Sequence, residues 1–351
     1  MQPRWRVQSH HPGSPDRPEL DLTTVQNKIK CVFQTGVLEE VSEKRKSQPY
    51  KVIALPPIRK EAIASDIHNA VPTEKIDGTC VYVQTFGGKP WLWARLDRKA
   101  QKKAQHRFKQ FQHTHRTWVS SHKETDPEPT FQWNMNVDFK EAPEHWIPAT
   151  GVAIRDNRPC PDENGHIPGW LPLEPDTRQY VWHLSCVDLM SGVVAVLEQD
   201  LANKELLLTV RPLSQLIGAT LELVGTHVNA NPYRLGSKQH PVHFLVRHGS
   251  ILVNSLPELE LDKLRAWFSE NPLGRVEGIV WHCSDGSLFK LHRHHLGLKW
   301  PIDNLTLNTL PVHIIVDWES LNLPVIDSPL FNFLKTNNNS RYSSLMELSF
   351  S

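Results

Sequence analysis

Short stretches in which apolar and polar residues alternate recur along the chain, and they predict a fold rich in strands. Such alternation, with a period of two, is typical of strands that have one buried face. A clear example is the stretch 220–224, where leucines flank Glu222 on both sides. By the same criterion we predict strands at residues 79–86, 90–96, 180–184, 193–197, 206–210, 275–281, 288–292 and 312–316.

A hairpin around the two glycines at residues 87–88 is the clearest local prediction. Glycine readily adopts the positive φ angles that two-residue hairpin turns require. Alternate residues of the two strands then lie on the same face. The face predicted to be buried carries Val81, Val83, Leu92 and Ala94.

The pairing across this turn has a consequence for two arginines on the return strand. It places Arg95 opposite Cys80 and Arg98 opposite Asp77. Because Asp77 lies two residues after Lys75, we expect both guanidinium groups beside that lysine. Nearby cations lower the pKa of a lysine, which favours its use as a nucleophile.

Apolar residues at helical spacing predict a smaller number of helices. The longest is expected at residues 99–113, where Phe108 and Phe111 provide the apolar anchor and many other positions are basic. Shorter helical segments are predicted at residues 214–217, 262–268 and 330–334.

Composition indicates a globular protein with a substantial core, since 39% of its 351 residues are hydrophobic and 22% are charged. The net charge of +1 implies that any nucleic-acid surface is local. No apolar run approaches the ~18 residues of a membrane span, and no signal-peptide core is present. The five cysteines include no Cys-x-x-Cys pair, which predicts reduced thiols in an intracellular protein, cytoplasmic or nuclear.

The chain is expected to divide into three segments. Residues 1–24 are predicted to be a disordered extension, with a transit peptide as the alternative. Residues 25–300 are predicted to form the main domain. Residues 301–351, which are rich in asparagine and serine, are expected to form a small appendage packed on the core, with a flexible end. We expect a monomer.

The tetrapeptide Lys-Ile-Asp-Gly at residues 75–78 is the first candidate for chemistry. Its lysine can attack phosphorus and carry a nucleotide as a phosphoramide. The pattern is short, and an isolated lysine of this kind is more often a solvated surface residue. Its interpretation therefore depends on partners elsewhere in the chain.

Three later residues are suitable partners. Glu222 and Glu277 lie in predicted strands, and their carboxylates suit Mg²⁺, which prepares pyrophosphate as a leaving group. Lys290, on the strand after Glu277, can neutralise negative charge on an α-phosphate. The alternative for both glutamates is the outward face of an edge strand.

This ordered set resembles the motifs of the covalent nucleotidyltransferases, which comprise polynucleotide ligases and mRNA capping enzymes. Lys75 matches the nucleotide-accepting lysine of the KxDG motif, and Arg95 matches the arginine that contacts ribose. Glu222 matches the glutamate of the third motif. Glu277 matches the metal-binding glutamate of the EGxV motif, and Lys290 matches the lysine that contacts the α-phosphate.

Longer segments are similar to the animal ATP-dependent RNA ligases, which join 5′-phosphate to 3′-hydroxyl ends. The similarity extends over residues 28–335 and is clearest at residues 72–79, 92–99, 161–170, 277–286 and 291–298. It implies an α+β fold of the ligase and capping-enzyme type, in which antiparallel sheets enclose an ATP pocket and helices flank them.

The resemblance also implies three nucleotidyl transfers that use ATP and Mg²⁺ or Mn²⁺. Lys75 takes AMP from ATP, AMP passes to an RNA 5′-phosphate, and a 3′-hydroxyl then displaces it. The implied metal ligands are Glu222 and Glu277. The residues implied to contact the nucleotide are Glu74, Asp77, Gly78, Arg95, Glu222, Lys290 and His292, of which Lys290 also counts as catalytic.

Three departures from the wider superfamily are informative, and the first two bear on the substrate. Cys80 stands where DNA ligases and capping enzymes usually have an arginine. No RxDK motif, typical of their terminal barrel, follows Lys290. Both points favour RNA. His292 stands where many relatives have a second lysine, so we expect a pH dependence of self-adenylylation that His292→Lys changes.

Basic residues in and before the predicted helix are candidates for contacts with RNA phosphates, the alternative being a solvated helix face. They are Arg98, Lys99, Lys102, Lys103 and Arg107. Two other functions stay open, a binding module for RNA or nucleotide without sealing activity, and an enzyme that transfers AMP to proteins. The cysteine and histidines of residues 282–295 are spaced too irregularly to favour a structural zinc site.

Overall fold

The structure is a computed structural model that describes residues 24–40, 50–121, 127–321 and 328–348. The extension predicted at residues 1–24 lies outside these ranges, apart from Thr24. In chain order the strands are β1 (Lys30–Cys31), β2 (Phe33–Leu38), β3 (Lys51–Ile58), β4 (Val71–Glu74), β5 (Thr79–Phe86), β6 (Lys89–Arg95), β7 (Arg98–Lys99), β8 (Ile147–Pro148), β9 (Ile154–Arg155), β10 (Arg158–Pro159), β11 (His166–Ile167), β12 (Gly169–Pro172), β13 (Val187–Asp188), β14 (Val193–Asp200), β15 (Glu205–Pro212), β16 (Thr220–Gly225), β17 (His243–Arg247), β18 (Gly278–His282), β19 (Leu288–His292), β20 (Val312–Ile314) and β21 (Arg341–Tyr342).

Two sheets form the body of the molecule. The larger has eleven strands in the order β21-β20-β15-β14-β17-β16-β5-β6-β12-β8, with β13 beside β14. The smaller has the order β1-β19-β18-β4, and three ribbons pair β2 with β3, β7 with β11 and β9 with β10. Most neighbours are antiparallel, but β1 with β19, β14 with β17 and β15 with β20 are parallel. The predicted α+β class is therefore confirmed, with mixed sheets rather than purely antiparallel ones.

Helices flank these sheets and are mostly short. In chain order they are α1 (Lys60–Ala64), α2 (Lys102–Ser121), α3 (Met135–Asp138), α4 (Val181–Leu184), α5 (Leu261–Glu270), α6 (Trp318–Leu321) and α7 (Pro329–Thr336). None of the helices in the described ranges combines the length and the apolar character that crossing a membrane would require.

The hairpin predicted at residues 87–88 is confirmed. Both turn glycines have positive φ angles, 57° and 78°, and β5 pairs with β6 from the turn back to Val81 and Ala94. This register is the predicted one. The predicted inner face belongs to the main core, and its members are each at most 4% exposed: Val81, Val83, Leu92 and Ala94.

The two largest of the four apolar cores in the described ranges hold the sheets in place. The main core covers one face of the larger sheet, and burial of each large apolar side chain there stabilises the fold by about 1.5–3 kcal/mol. The second core lies between the smaller sheet and α5, and it confirms the helix predicted at residues 262–268. The residues of α5 that are buried recur at helical spacing: Leu261, Leu264, Trp267 and Phe268.

Three predicted elements differ from the structure. The strand predicted at residues 180–184 is wrong, because this segment is a 3₁₀ turn followed by α4. In so short an apolar run the helical and strand periods cannot be told apart. The predicted strand at 275–281 begins only at Gly278, so Glu277 precedes it. The basic helix spans Lys102–Ser121 rather than residues 99–113, because Arg98 and Lys99 pair with β11.

The segment after Trp300 continues the larger sheet. It adds β20 beside β15 and β21 beside β20, and α7 packs over them. Leu307, Ile314 and Leu334 are fully or almost fully buried in the main core. This segment therefore shares its core with the strands that carry the hairpin.

Candidate active site

A cavity of about 240 Å³ lies between the two sheets. Its wall combines residues from β4 and β19 with residues from β5, β6 and β16. Five residues predicted from the sequence for the nucleotide site line it together: Glu74, Lys75, Arg95, Glu222 and Lys290.

A second depression, of about 490 Å³, is more open and lies against the start of α5. It is lined by Pro56, Ile58, Ile63 and residues 259–262. This lining includes no lysine, arginine, histidine or cysteine among the described residues. The cavity at Lys75 is therefore the candidate active site.

Lys75 is fixed at the end of β4 by its backbone, because its N–H donates to the Gly278 carbonyl at 2.9 Å. Its Nζ donates to Glu277 Oε2 at 2.5 Å, and His292 Nε2 lies 2.6 Å from the other carboxylate oxygen. The Glu277 side chain is 2% exposed. A buried carboxylate needs such partners, because an unpaired charge is costly to remove from water.

The pKa of Lys75 is raised, and the prediction of a lowered value is wrong. Burial favours the neutral amine, but the carboxylates of Glu277 and Glu222 outweigh it. For Glu277, burial acts to raise the pKa, yet Lys75 and His292 lower it to about 2. In the free protein the two groups form an ion pair, so Lys75 must lose a proton before it can act as a nucleophile.

His292 is buried behind Glu277 and supports its carboxylate. Its Nδ1 accepts the N–H of His294 at 3.0 Å, and the two imidazole rings stack with centroids 4.6 Å apart. Because Nδ1 acts as an acceptor, the ring proton belongs on Nε2, which donates to Glu277. A neutral imidazole satisfies both contacts.

Three residues distant in sequence hold Asp77. Trp300 Nε1 donates to Oδ2 and Asn229 Nδ2 donates to Oδ1, each at 2.7 Å. The Asp77 N–H donates to the Tyr233 hydroxyl at 2.9 Å. Burial, followed by the Glu277 carboxylate, raises the pKa of Asp77. These contacts fix the loop that carries Lys75.

Gly78 allows this loop to approach β16 closely. A Cβ atom at this position would lie 2.1 Å from the Leu223 carbonyl oxygen, so a larger residue does not fit. The Gly78 N–H donates to Glu222 Oε1 at 3.1 Å, and His248 Nε2 lies 2.9 Å from Glu222 Oε2. Glu222 is buried in an interior strand between β5 and β17, which excludes the edge-strand alternative.

Arg95 lines the cavity at the end of β6. Its Nε donates to Asp97 and its Nη1 donates to the Gln26 carbonyl, both at 2.6 Å. The guanidinium lies 4.7 Å from the centre of the Trp170 ring, a distance typical of a cation–π contact. These contacts hold the planar group in one orientation towards the cavity.

Arg98 does not lie beside Lys75, so its predicted position opposite Asp77 is wrong. The strand β6 ends at Arg95, and β7 pairs Arg98 with Ile167 instead. Its guanidinium donates to the Lys140 carbonyl. Hairpin register can be extrapolated only as far as the two strands stay paired.

Glu74 and Lys290 complete the cavity wall. Lys290 lies in β19 opposite Val280 and is half-buried. Glu74 is 7% exposed, and its Oε1 makes no hydrogen bond within the described part of the chain. Burial, followed by the Glu277 carboxylate, raises the pKa of Glu74 to about 8.

Apart from Arg98, the basic residues predicted to contact RNA fall into two groups. Lys99, Lys102 and Lys103 are exposed. Arg107, in contrast, donates two hydrogen bonds of 2.8 and 2.7 Å to Asp138, whose side chain is 6% exposed. Arg107 therefore has a structural partner.

Sequence reasoning missed four residues that position this site: Asn229, Tyr233, His248 and Trp300. The contacts with Asp77 span 152, 156 and 223 residues along the chain, so no local pattern marks them. Asn229 has a positive φ of 49°, a conformation that asparagine tolerates well, but nothing in the sequence indicates its contact with Asp77.

Comparison with known proteins agrees with the motifs. A family model described as RNA ligase 1 matches residues 19–351. Proteins named RNA ligase 1 from Danio rerio and Pongo abelii are 46% and 47% identical, over 94% of this chain and 98% of each relative. One from Mus musculus is 49% identical over 84% of this chain and 87% of the relative. The resemblance predicted from the motifs is thus confirmed, and the chain belongs to the RNA ligase 1 family.

Proposed function

We propose that this protein is an ATP-dependent RNA ligase that joins 5′-phosphate and 3′-hydroxyl ends through a lysyl-AMP intermediate. The observation that best supports the mechanism is the place of Lys75. Lys75 lines the cavity, and its Nζ donates to the buried carboxylate of Glu277. Arg95, Glu222 and Lys290 line the same cavity. The name of the relatives, RNA ligase 1, supports RNA as the substrate.

In the first step, Lys75 Nζ attacks the α-phosphorus of ATP. A phosphorus–nitrogen bond forms, and the bond to the pyrophosphate oxygen breaks. The ammonium must first release a proton. In the free protein Glu277 stabilises the ammonium form of Lys75, with which it forms an ion pair. The proton therefore leaves to solvent or phosphate once the attraction between Lys75 and Glu277 is weakened.

The residues around Glu277 fit a divalent cation. Its buried carboxylate already holds a positive charge, that of the Lys75 ammonium, and carboxylate oxygen is a hard ligand that suits Mg²⁺ or Mn²⁺. Glu222 Oε1 accepts a hydrogen bond from the Gly78 N–H, so only Oε2 is left to bind a cation. A cation bound here would supply positive charge to the phosphates and stabilise pyrophosphate as it leaves.

The other cavity residues suit the nucleotide. Arg95 and Lys290 offer positive charge to ribose and phosphate oxygens. Glu74, whose pKa is raised to about 8, stays protonated at neutral pH, so its carboxyl group can both donate and accept a hydrogen bond. We assign it to the polar edge of the adenine base.

The two later steps conserve the phosphoanhydride energy of ATP. An oxygen of the RNA 5′-phosphate attacks the AMP phosphorus, the phosphorus–nitrogen bond breaks, and Lys75 recovers its amine. The 3′-hydroxyl of a second end then attacks the 5′-phosphorus, loses its proton, and AMP leaves. We place the incoming RNA along Lys28, at the cavity wall, and the exposed Lys99, Lys102 and Lys103.

A transfer assay with matched substrates tests this proposal. The protein is incubated with α-labelled ATP and Mg²⁺, and then with 5′-phosphorylated RNA or with DNA of the same sequence. We expect label on the protein, its passage to the RNA end, and release of labelled AMP when a 3′-hydroxyl end is joined. Equal transfer of the label to DNA would contradict the assignment of RNA as the substrate. Label that passes to other proteins instead would support the AMP-transferring alternative.

A further inference from the structure

Cys80, Glu222 and His248 lie on neighbouring strands of the larger sheet and face the cavity together. Glu222 pairs directly with Cys80 across β16 and β5. His248 follows the last residue of β17, the strand on the other side of β16. The cysteine sulfur, a carboxylate oxygen and an imidazole nitrogen all lie within 4.8 Å of one another, and within the described ranges no second cluster of this kind occurs.

We propose that these three side chains form a binding site for Zn²⁺ or a similar borderline-soft divalent cation. Thiolate and imidazole are ligands that zinc prefers, whereas Mg²⁺ takes oxygen ligands. Zinc in a tetrahedral site, with bonds of ~2.0–2.3 Å, keeps its ligand atoms about 3.3–3.8 Å apart. The Nε2–Oε2 separation of 2.9 Å and the limit of 4.8 Å for all three ligand atoms bracket this range. The fourth position faces the cavity, where water or an anionic oxygen can occupy it.

The imidazole of His248 is already oriented for this role. Its Nδ1 lies 2.8 Å from Thr220 Oγ1, and its Nε2 lies 2.9 Å from Glu222 Oε2. Histidine ligands of zinc usually have their second ring nitrogen held by such a hydrogen-bonding group. A cation between Nε2 and Oε2 takes the place of the proton that now joins them, and Nδ1 then donates to Thr220.

The carboxylate of Glu222 can bind the cation without releasing the nucleophile loop. Its Oε1 accepts the Gly78 N–H, while Oε2 faces His248. The two oxygens thus have separate tasks. Since the ligands come from paired strands, their backbone positions are fixed before the cation arrives, which lowers the entropic cost of binding.

The repulsion that two nearby cations exert on a metal at this position is reduced, because each already has an anionic partner. Arg95 donates to Asp97 at 2.6 Å, and Lys75 donates to Glu277 at 2.5 Å. The site does not include Glu277, the main ligand of the Mg²⁺ in the proposed reaction, although it shares Glu222 Oε2 with that cation. Its existence does not rest on the ligase mechanism.

Cobalt(II) substitution tests the site directly. The purified chain is freed of metal with a chelator and titrated with Co²⁺. We expect a thiolate-to-cobalt charge-transfer band that saturates at one Co²⁺ per chain and disappears when one equivalent of Zn²⁺ is added. Cys80→Ser should abolish the band, and His248→Gln should keep it but weaken Co²⁺ binding at least tenfold. Competition with a zinc indicator gives the affinity for Zn²⁺ itself.

A matched control uses another half-buried cysteine that lies outside the cluster. Cys160→Ser should leave the charge-transfer band and the affinity unchanged. Thermal unfolding without metal shows whether each variant is folded, and His248→Gln keeps the test decisive if Cys80→Ser does not fold. A wild-type chain without the band, or a band that survives Cys80→Ser, would overturn the proposal.

Discussion

At the scale of single residues, the carboxylate of Glu277 determines the state of the proposed nucleophile. It accepts hydrogen bonds from both Lys75 and His292, so Lys75 stays protonated in the free protein. Activation therefore requires that a bound cation or nucleotide first weakens this ion pair. The arginines expected beside Lys75 cannot perform that task, because Arg98 is absent from the cavity and Arg95 is paired with Asp97.

A first prediction concerns Glu74, whose pKa is raised to about 8 chiefly by burial. In the unfolded chain a glutamate ionises near pH ~4.3. Between these values the unfolded state binds fewer protons than the folded state, so stability falls as the pH rises. Glu74→Gln removes this loss. We expect its melting temperature to exceed that of the wild type by a margin that grows between about pH 5 and pH 8.

Circular dichroism during heating measures this margin. Glu319→Gln, an exposed substitution on α6, should show no such growth with pH. A margin that stays constant for Glu74→Gln would show that Glu74 is ionised in the folded protein.

A second prediction concerns Trp300. Its indole N–H donates to Asp77 at 2.7 Å. A hydrogen bond to a charged group contributes about 1.5–3 kcal/mol, so Trp300→Phe should slow self-adenylylation by roughly 10- to 100-fold if Asp77 acts through this contact. Trp318→Phe is the matched control, because Trp318 Nε1 makes no hydrogen bond within the described residues. Equal rates for the two variants would contradict a positioning role for Trp300.

How much of the site the sequence predicts depends on the range of the contacts. The hairpin register and Arg95 followed from a local turn, because two glycines fix the pairing of adjacent strands. Trp300 and His248 could not be predicted, since their contacts depend on how distant strands meet. The prediction that the pKa of Lys75 is lowered was wrong for the same reason, because Glu277 lies 202 residues away in the chain.

At the scale of elements, α2 separates basic residues that are exposed from one that is structural. Lys102 and Lys103 are exposed at its start, whereas Arg107 binds the buried Asp138. Composition alone grouped all three together. The difference arises from α3, which places Asp138 against the helix.

A third prediction follows for RNA sealing. Lys102→Glu combined with Lys103→Glu should weaken sealing and leave self-adenylylation intact, because these side chains lie outside the cavity. If each contacts one phosphate of single-stranded RNA, the slope of log affinity against log salt should decrease by about 1.4. Binding titrations at several salt concentrations measure it. An unchanged slope would exclude these two lysines from the RNA path.

A fourth prediction distinguishes Arg107 from its neighbours. Arg107→Ala leaves Asp138 buried without its cation, and we expect the free energy of unfolding to fall by about 1–3 kcal/mol, discounted because half of the arginine is exposed. Urea denaturation measures this loss. A stability equal to that of the wild type, with weaker RNA binding, would instead place Arg107 on the RNA surface.

Across the whole molecule, one core joins the hairpin of β5 and β6 to the end of the described chain. The strands β20 and β21 extend the same sheet that contains β5 and β16, and α7 covers them. Trp300 then links this region to the loop of Lys75 through Asp77. The composition of residues 301–351 gave no indication that they complete the sheet, because the decisive pairing is with β15.

A fifth prediction tests this shared core. Leu334 in α7 is fully buried, so Leu334→Ala should lower the free energy of unfolding by about 2–5 kcal/mol. Met346→Ala, at a position that is 47% exposed, is the control and should change it by less than about 0.5 kcal/mol. If Leu334→Ala is as mild as the control, the segment after Trp300 does not share the core.

Mass spectrometry of the modified protein identifies the residue that carries the nucleotide, which we propose is Lys75. The protein is incubated with ATP and Mg²⁺, digested at alkaline pH, and its peptides are mapped. We predict one adenylate per chain, on the peptide that contains Lys75, stable to alkali and labile to acid as a phosphoramide is, and absent from Lys75→Arg. An adenylate on another residue, or one that persists in Lys75→Arg, would show that Lys75 is not the acceptor.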